Sequence, residues 1–305
     1  MYTDFYKLNR NPFEITPDPY FLYSTKKHKE ALAALYYGVR QHKGFVVLTG
    51  EVGTGKTLLI RCLLQLCRGT DIASAYVFNS RLSTLEFLQY AATDFGLSAS
   101  GKHKGEILHD LNRYLLGRHQ KKLTTMMVVD EAHHLSTEVL EEIRLLTNLE
   151  TAEEKLLQIV LVGQSELSDK LDSHELRQLK QRITLRAYLE PLDLENTKGY
   201  IQCRLQLAGA SSEAKNLFPE ETVERIHHYS RGVPRLINTI SDNAMITAFA
   251  RQLTSVPPSI IDEVADELRL NVGRVVRSVC VFQTTKGADQ TLSVGQSLLQ
   301  LRHQY

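Results

Sequence analysis

The chain has 305 residues, of which 43% are hydrophobic and 23% are charged. These proportions exclude a long disordered or fibrous architecture, and at about 150 residues per domain the length predicts two domains, one of them small. Lys and Arg number 36 against 35 Asp and Glu, so the formal charge of +1 creates no overall field that demands nucleic acid or an anionic membrane. We recognise no signal peptide and no apolar run of membrane-spanning length, and the four cysteines form no C-x-x-C pair. A soluble intracellular protein with reduced thiols and no integral membrane segment is therefore expected.

Apolar runs alternate with helical periodicity through the first two thirds of the chain. Residues 1–27 are rich in turn formers, and prolines 12, 17 and 19 argue against a helix there. We predict helices over residues 28–42, 58–67, 83–95, 105–119 and 136–149, and buried strands over residues 45–48, 73–78, 126–129 and 158–162. Short apolar strands separated by helices are typical of a parallel sheet with helices on both faces, so the predicted fold class is α/β.

The character of the sequence changes after Thr184. Helical periodicity is predicted over residues 195–208, 220–230, 234–251 and 259–270, with no convincing strand among them. The predicted domains are a proline-rich lead-in (1–27), an α/β domain (28–190), a small all-α domain (191–270) and a tail of uncertain structure (271–305).

The strongest motif lies between a predicted strand and a predicted helix. Residues 50–57 fit the pattern G-x-x-x-x-G-K-[ST] completely. Its glycines let backbone N–H groups turn toward phosphate oxygens, and the helix N-terminus adds partial positive charge. Lys56 is expected to reach the β- and γ-phosphates, and Thr57 to bind Mg²⁺. The predicted nucleotide-binding residues are Gly50, Glu51, Val52, Gly53, Thr54, Gly55, Lys56, Thr57 and Leu58.

Polar residues follow two further predicted strands. Asp130 and Glu131 come directly after residues 126–129, and Gln164 follows residues 158–162. Asp130 is expected to hold Mg²⁺ beside Thr57, and Glu131 to orient and polarise the attacking water. In a parallel sheet the carboxyl ends of the strands form the ligand crevice, so Gln164 is expected to reach the γ-phosphate or the water. Binding and hydrolysis of ATP or GTP are predicted.

Residues 130–133 also spell the Asp-Glu-Ala-His box of one helicase class. A helicase of that class needs a second sheet-containing domain, whereas the chain after residue 190 is predicted to be helical, so this interpretation is set aside. His133 and His134 are considered as metal ligands and set aside as well. Adjacent side chains are expected to point to different sides, and the sequence shows no further His/Cys cluster that completes a site.

Two basic segments are candidates for contacts with the γ-phosphate. In residues 176–183, either Arg177 or Arg182 is expected to reach the nucleotide of a neighbouring subunit. In residues 231–238, Arg235 lies in the first turn of a predicted helix, where its charge opposes the helix dipole. We expect Arg235 to contact the nucleotide and to tie its state to the angle between the two domains.

These residues resemble AAA+ ATPases, which pair a P-loop α/β domain with a small all-α lid. More narrowly, the chain resembles the ExeA/GspA-like group of type II secretion and pilus biogenesis, in its short MshM-like form. The resemblance covers about residues 1–270 and is carried by residues 11–13, 16–19, 23–32, 50–57, 128–135, 160–164, 181–183 and 232–238. The membrane segment and cell-wall-binding domain of ExeA-type proteins are not recognised in this sequence, which favours the short form.

The resemblance implies roles for individual residues. It makes Gln164 the first sensor, Arg182 the arginine finger acting in trans and Arg235 the second sensor, and it places His28 and the lead-in near the adenine. The predicted catalytic residues are then Glu131, Lys56, Gln164, Arg182 and Arg235, and the predicted Mg²⁺ ligands are Thr57 and Asp130. ATP is favoured over GTP.

The implied function is ATP-driven or ATP-regulated assembly of a secretion or pilus complex through nucleotide-dependent formation of a ring or filament. The expected location is the cytoplasm, free or at the inner-membrane surface. An alternative is a DNA-associated regulator of the transposition-ATPase type, whose basic surface would comprise Lys102, Lys104, Arg118, Lys121 and Lys122. A third hypothesis, a nucleotide sensor without hydrolysis, is disfavoured by the presence of Glu131.

Overall fold

A five-stranded parallel sheet lies at the centre of the computed structural model, which describes residues 2–78, 81–210 and 216–270. Its strands are β1 (Phe45–Gly50), β2 (Ala73–Val77), β3 (Thr125–Val129), β4 (Gln158–Gly163) and β5 (Ile183–Leu189). Their order is β2-β3-β4-β1-β5, and every neighbouring pair is parallel. The predicted α/β class is confirmed. Strands β3, β4 and β1 are neighbours, so the segments that follow them meet at one edge of the sheet.

The helices follow the predicted pattern closely. The helices that precede β5 in the sequence are α1 (Tyr2–Phe5), α2 (Lys26–Arg40), α3 (Lys56–Cys67), α4 (Thr84–Asp94), α5 (Lys104–Gln120), α6 (Thr137–Leu146), α7 (Ser165–Leu171) and α8 (Arg177–Arg182). Those after it are α9 (Leu194–Leu207), α10 (Glu220–Ser230), α11 (Pro234–Ala250) and α12 (Pro258–Glu267). The expectation of no helix in residues 1–27 is wrong for α1, which forms before the first proline and so escapes its constraint. A short 3-10 turn also forms at Pro19–Phe21.

The predicted strands omitted β5, one of the two edge strands of the sheet. Its side chains alternate between half-buried and exposed positions, so the segment lacks the continuous apolar run of the inner strands. Strand β1 shows the contrast, since Phe45 and Val47 pack into the core on one face while Val46 and Leu48 pack into the core on the other.

The lead-in belongs to the hydrophobic core of the helical region. Phe13 and Phe21 are buried among apolar residues of α9 to α12. Two tyrosines add hydrogen bonds to the same region: Tyr2 donates to Asp242 Oδ1 at 2.6 Å, and Tyr6 donates to the carbonyl of Leu253 at 3.0 Å. The residues up to Leu270 form one compact unit. The predicted domain boundaries remain predictions, and the predicted tail lies outside the described residues.

Candidate active site

The phosphate-binding loop connects β1 to α3. Gly53 and Gly55 have φ angles of +81° and +98°, which only glycine adopts without strain. Lys56 is buried, and its Nζ donates hydrogen bonds to the carbonyl oxygens of Gly50 and Glu51, both at 2.8 Å. Burial lowers the pKa of Lys56, while the carboxylates of Glu131 and Asp130 act in the opposite direction. The ammonium group therefore lies at the centre of the loop, among groups that a phosphate oxygen can replace.

Asp130 lies at the end of β3 and is held through both carboxylate oxygens. Its Oδ2 accepts hydrogen bonds from Thr57 Oγ1 at 3.2 Å and from the Tyr76 hydroxyl at 2.7 Å, and its Oδ1 accepts from the backbone N–H of Glu131 at 2.9 Å. The structure thus brings together Thr57 and Asp130, the predicted Mg²⁺ ligands. A hydroxyl and a carboxylate suit Mg²⁺, which prefers oxygen ligands and keeps several of its waters.

Tyr76 is a site residue that the sequence analysis missed. It lies on β2 opposite Val128 of β3, two residues before Asp130, so the two side chains share a face. Burial and the hydrogen bond to Asp130 raise the pKa of Tyr76, so the phenol stays protonated and keeps donating. A tyrosine within the predicted strand was the available signal, but using it requires the register between β2 and β3.

Glu131 occupies a left-handed backbone conformation with φ of +52°. Such a conformation costs on the order of 1–3 kcal/mol for a residue other than glycine and is often retained at functional sites. A 3-10 turn, Ala132–His134, follows directly. The ring centroids of His133 and His134 lie only 3.9 Å apart. The expectation that these adjacent side chains diverge is therefore wrong, because in this short 3-10 turn the two side chains bring their rings together.

Gln164 follows β4 and precedes α7. Its backbone N–H donates to His133 Nδ1 at 3.4 Å, and burial is the main cause that lowers the pKa of His133. The side chains of Gln164 and Glu131 line the same cavity as the phosphate-binding loop, which has a volume of about 380 Å³. The polar residues predicted after three different strands therefore meet at one edge of the sheet.

The opposite wall of this cavity comes from the lead-in and the helical region. It comprises Glu14, Ile15, Thr16, Pro17, Asp18, Tyr200, Arg204, Pro234, Arg235 and Asn238. The backbone N–H of Arg235 donates to the carbonyl of Gly53 at 3.2 Å, so α11 contacts the phosphate-binding loop directly. The structure thus brings Arg235 to the site, as predicted.

A buried polar network organises this wall and was not predicted. Arg204 is buried, its guanidinium lies 4.6 Å from the centroid of the Phe21 ring, and it donates to the Tyr200 hydroxyl at 2.9 Å and to the carbonyl of Glu14 at 3.2 Å. Tyr200 in turn donates to Asn238 Oδ1 at 2.8 Å. These contacts hold the lead-in against α9 and α11.

His28 lies against the phosphate-binding loop. Its Nδ1 is 2.7 Å from Thr25 Oγ1, and burial lowers its pKa while a hydrogen bond to the backbone of Thr54 acts in the opposite direction. The imidazole therefore connects the start of α2 to the loop.

Neither α8 arginine lines the cavity within the described chain. Arg182 donates a hydrogen bond to Thr147 Oγ1 at the end of α6. Arg177 is exposed at the start of α8, and its side chain has no partner in residues 2–78, 81–210 and 216–270. The two candidates for an arginine acting in trans thus remain, and they differ in how freely each can reach a second molecule.

Comparisons with known proteins agree with this geometry. Residues 39–171 match the family model described as AAA domain. The ORC2 protein of Aeropyrum pernix, solved in ADPNP–ADP complexes, superposes with a TM-score of 0.65 at 18% identity over 85% of this chain and 72% of that one, which shows a common fold. With the phosphate-binding loop and the strand-end acids in place, the chain has the AAA+ P-loop ATPase fold and contains an AAA domain.

Among curated proteins, the chain is similar to general secretion pathway protein A of Aeromonas hydrophila, with 46% identity over 252 residues. The match covers 82% of this chain and 45% of that protein, and it confirms the resemblance to the ExeA/GspA-like group. The Mu-like prophage FluMu DNA transposition protein B of Haemophilus influenzae is 28% identical over 158 residues, which cover 50% of this chain and 51% of that protein. The chain thus spans about half the length of these relatives. Among the residues that the structure describes, no helix is both long and apolar enough to cross a bilayer.

Proposed function

We propose that the protein uses Mg²⁺-dependent ATP hydrolysis to switch its own oligomerisation, and that this switch drives or regulates assembly of a secretion or pilus complex. The main supporting observation is that the described chain places only some of the residues expected around the γ-phosphate in the cavity. Lys56, Glu131, Gln164 and Arg235 line one cavity, whereas no α8 arginine does so within the described chain. A second copy of the chain would supply the missing positive charge. The similarity to general secretion pathway protein A supports the cellular setting, and the cytoplasm, free or at the inner-membrane surface, remains the predicted location.

The residues divide the chemistry of hydrolysis among them. Lys56 would exchange its two carbonyl acceptors for phosphate oxygens, and the backbone amides of the loop would bind the remaining ones. A Mg²⁺ ion held by Thr57 and Asp130 would neutralise charge on the phosphates. Glu131 would accept a proton from the attacking water, and Gln164 would orient that water. Arg235 would report the nucleotide to the helical region, since its backbone already contacts the loop.

The structure gives little support to the DNA-binding alternative. Lys102 pairs with Asp110 at 2.6 Å, and Lys104 pairs with the buried Glu142 at 2.5 Å. Arg118 donates to Thr125 Oγ1 at 3.0 Å and to backbone carbonyls. Most of the predicted basic surface thus has partners within the chain, although the similarity to the transposition protein keeps a gel-shift assay at two salt concentrations worthwhile.

Replacing Glu131 by Gln tests hydrolysis and the switch together. The amide keeps the size of the side chain but cannot accept the proton, so we expect ATP turnover to fall by on the order of 10²-fold or more with ATP binding retained. If ATP drives association, the variant should form larger particles with ATP than without it, measured by light scattering after size-exclusion chromatography.

The exposed Glu153, in the loop before β4, offers a matched control as Glu153→Gln, for which we expect wild-type turnover. Undiminished turnover of Glu131→Gln would contradict the role of Glu131. Particles of one size with and without ATP, in both the wild type and this variant, would contradict the switch.

A further inference from the structure

Three metal-ligating side chains lie together beside the catalytic site. Glu131, His133 and His134 each offer a ligand atom, and these atoms lie within 4.8 Å of one another. The imidazole rings are 3.9 Å apart, and the His133 side chain is mostly buried while His134 is exposed. Imidazole nitrogen and carboxylate oxygen are ligands of Zn²⁺ and related transition-metal ions, whereas Mg²⁺ prefers oxygen alone.

An independent observation points to a missing partner at this cluster. Glu131 Oε2 is buried and makes no hydrogen bond to any described residue. The left-handed backbone of Glu131 places this oxygen 3.4 Å from His133 Nδ1. Buried carboxylate oxygens are normally satisfied by a donor or a cation, so the arrangement leaves a place for a positive ion.

His133 Nδ1 faces two groups without a short contact to either. The backbone N–H of Gln164 donates to it at 3.4 Å, which is long for a hydrogen bond, and Glu131 Oε2 lies at the same distance. A metal ion bound at this nitrogen would take the lone pair that accepts from the Gln164 N–H and would lie beside Glu131 Oε2, so it would act on both residues. The separate pair formed by Thr57 and Asp130 would remain for Mg²⁺.

We propose that Glu131, His133 and His134 bind a transition-metal ion of the Zn²⁺ class, and that the bound ion inhibits ATP hydrolysis. Three protein ligands with water in the fourth position match a common zinc coordination. Inhibition follows because a carboxylate that ligates the metal no longer accepts a proton from water. The inhibitory half rests on the function proposed above for Glu131, whereas metal binding stands without it.

Cobalt absorption spectroscopy on the nucleotide-free full chain tests the binding half. Co²⁺ should give visible bands of four-coordinate geometry at one ion per chain, and Zn²⁺ should displace them. His134→Ala should weaken Co²⁺ binding at least tenfold, while the matched variant His109→Ala, on the exposed surface of α5, should bind as the wild type does. Equal Co²⁺ binding by both variants, or a cobalt–thiolate charge-transfer band, would overturn the assignment.

Zn²⁺ inhibition at saturating Mg²⁺ and ATP tests the other half. We expect His134→Ala to need at least tenfold more Zn²⁺ than His109→Ala for half inhibition, with circular dichroism showing that both variants fold. Equal sensitivity of the two variants would overturn the inhibition. An absence of turnover in zinc-free wild-type protein at saturating Mg²⁺ and ATP would instead contradict the proposed hydrolytic function, and the cobalt result would still decide the site.

Discussion

Tyr76 and Thr57 share one acceptor, the Oδ2 atom of Asp130. With Thr57 bound to Mg²⁺, as proposed, Tyr76 would remain to orient the carboxylate and would act as a positioning residue. We expect Tyr76→Phe to raise the Mg²⁺ concentration for half-maximal ATPase activity about tenfold, the equivalent of one hydrogen bond to a charged group. At saturating Mg²⁺ the turnover should stay close to that of the wild type.

Tyr90→Phe is the matched control for this prediction. Tyr90 lies on α4, and its ring packs against Phe78 at a centroid distance of 5.6 Å. The same Mg²⁺ dependence in both tyrosine variants would show that the hydroxyl of Tyr76 does not position Asp130.

The site residues found from the sequence lie in short contiguous patterns, whereas the residues that were missed depend on contacts between distant segments. Lys56 and Thr57 lie in one contiguous motif, and Asp130 follows a strand that its own residues define. Tyr76 and Arg204 act through contacts with segments 54 and about 190 residues away. Those contacts depend on strand register and helix packing, which a single sequence does not specify.

Among the described glycines, Gly232 in the turn between α10 and α11 has the closest steric contact. Gly232 has a φ of +73°, and a Cβ there would lie 1.8 Å from the carbonyl oxygen of Leu192. Gly232→Ala should therefore displace the start of α11, with Arg235, and lower the free energy of unfolding by about 2 kcal/mol or more. Urea unfolding measures this change.

Gly117 provides the opposite case within helix α5. A Cβ there meets no atom within 4 Å, and its φ lies outside the left-handed region. Gly117→Ala should raise the free energy of unfolding by about 0.5–1 kcal/mol through helix propensity alone. A free energy of unfolding for Gly232→Ala equal to or above that of the wild type would show that the contact with Leu192 does not constrain the turn.

The elements themselves were largely predictable because their patterns are strong. The inner strands have continuous apolar runs with buried faces on both sides, and α9 to α12 follow helical periodicity. Strand β5 has weaker patterning because it is half exposed, and α7 and α8 are too short, at 7 and 6 residues, to show a period.

At the scale of the whole molecule, the order of the regions was predictable and their packing was not. The proline-rich lead-in was predicted as a separate segment, yet its aromatic residues complete the core of the helical region. Its hydrogen bonds reach partners up to 247 residues away, including Leu253 for Tyr6. The cavity wall opposite the phosphate-binding loop is consequently built from the lead-in and from the helical region. Sequence periodicity does not show that these two distant segments pack together.

The proposed completion of the site by a second copy would make activity depend on protein concentration. Turnover per molecule should rise with concentration until the assembly is saturated. Arg182→Ala should then lower turnover by on the order of 10³-fold while ATP binding persists, because an arginine in trans stabilises charge only as the bond breaks. Arg177→Ala is the matched variant on the same helix. Because Arg177 is more exposed than Arg182, this variant tests whether Arg177 acts in trans instead.

Mixing two inactive variants separates a shared site from a self-sufficient one. Lys56→Ala should not bind phosphate, but it keeps both α8 arginines; Arg182→Ala keeps its own phosphate-binding loop. Equal amounts of the two should regain a measurable part of wild-type turnover, because one subunit supplies the nucleotide and the other supplies the arginine. Rescue of Arg177→Ala instead would assign the trans role to Arg177. No rescue of either arginine variant, together with turnover per molecule that does not change with concentration, would show that each chain hydrolyses ATP alone.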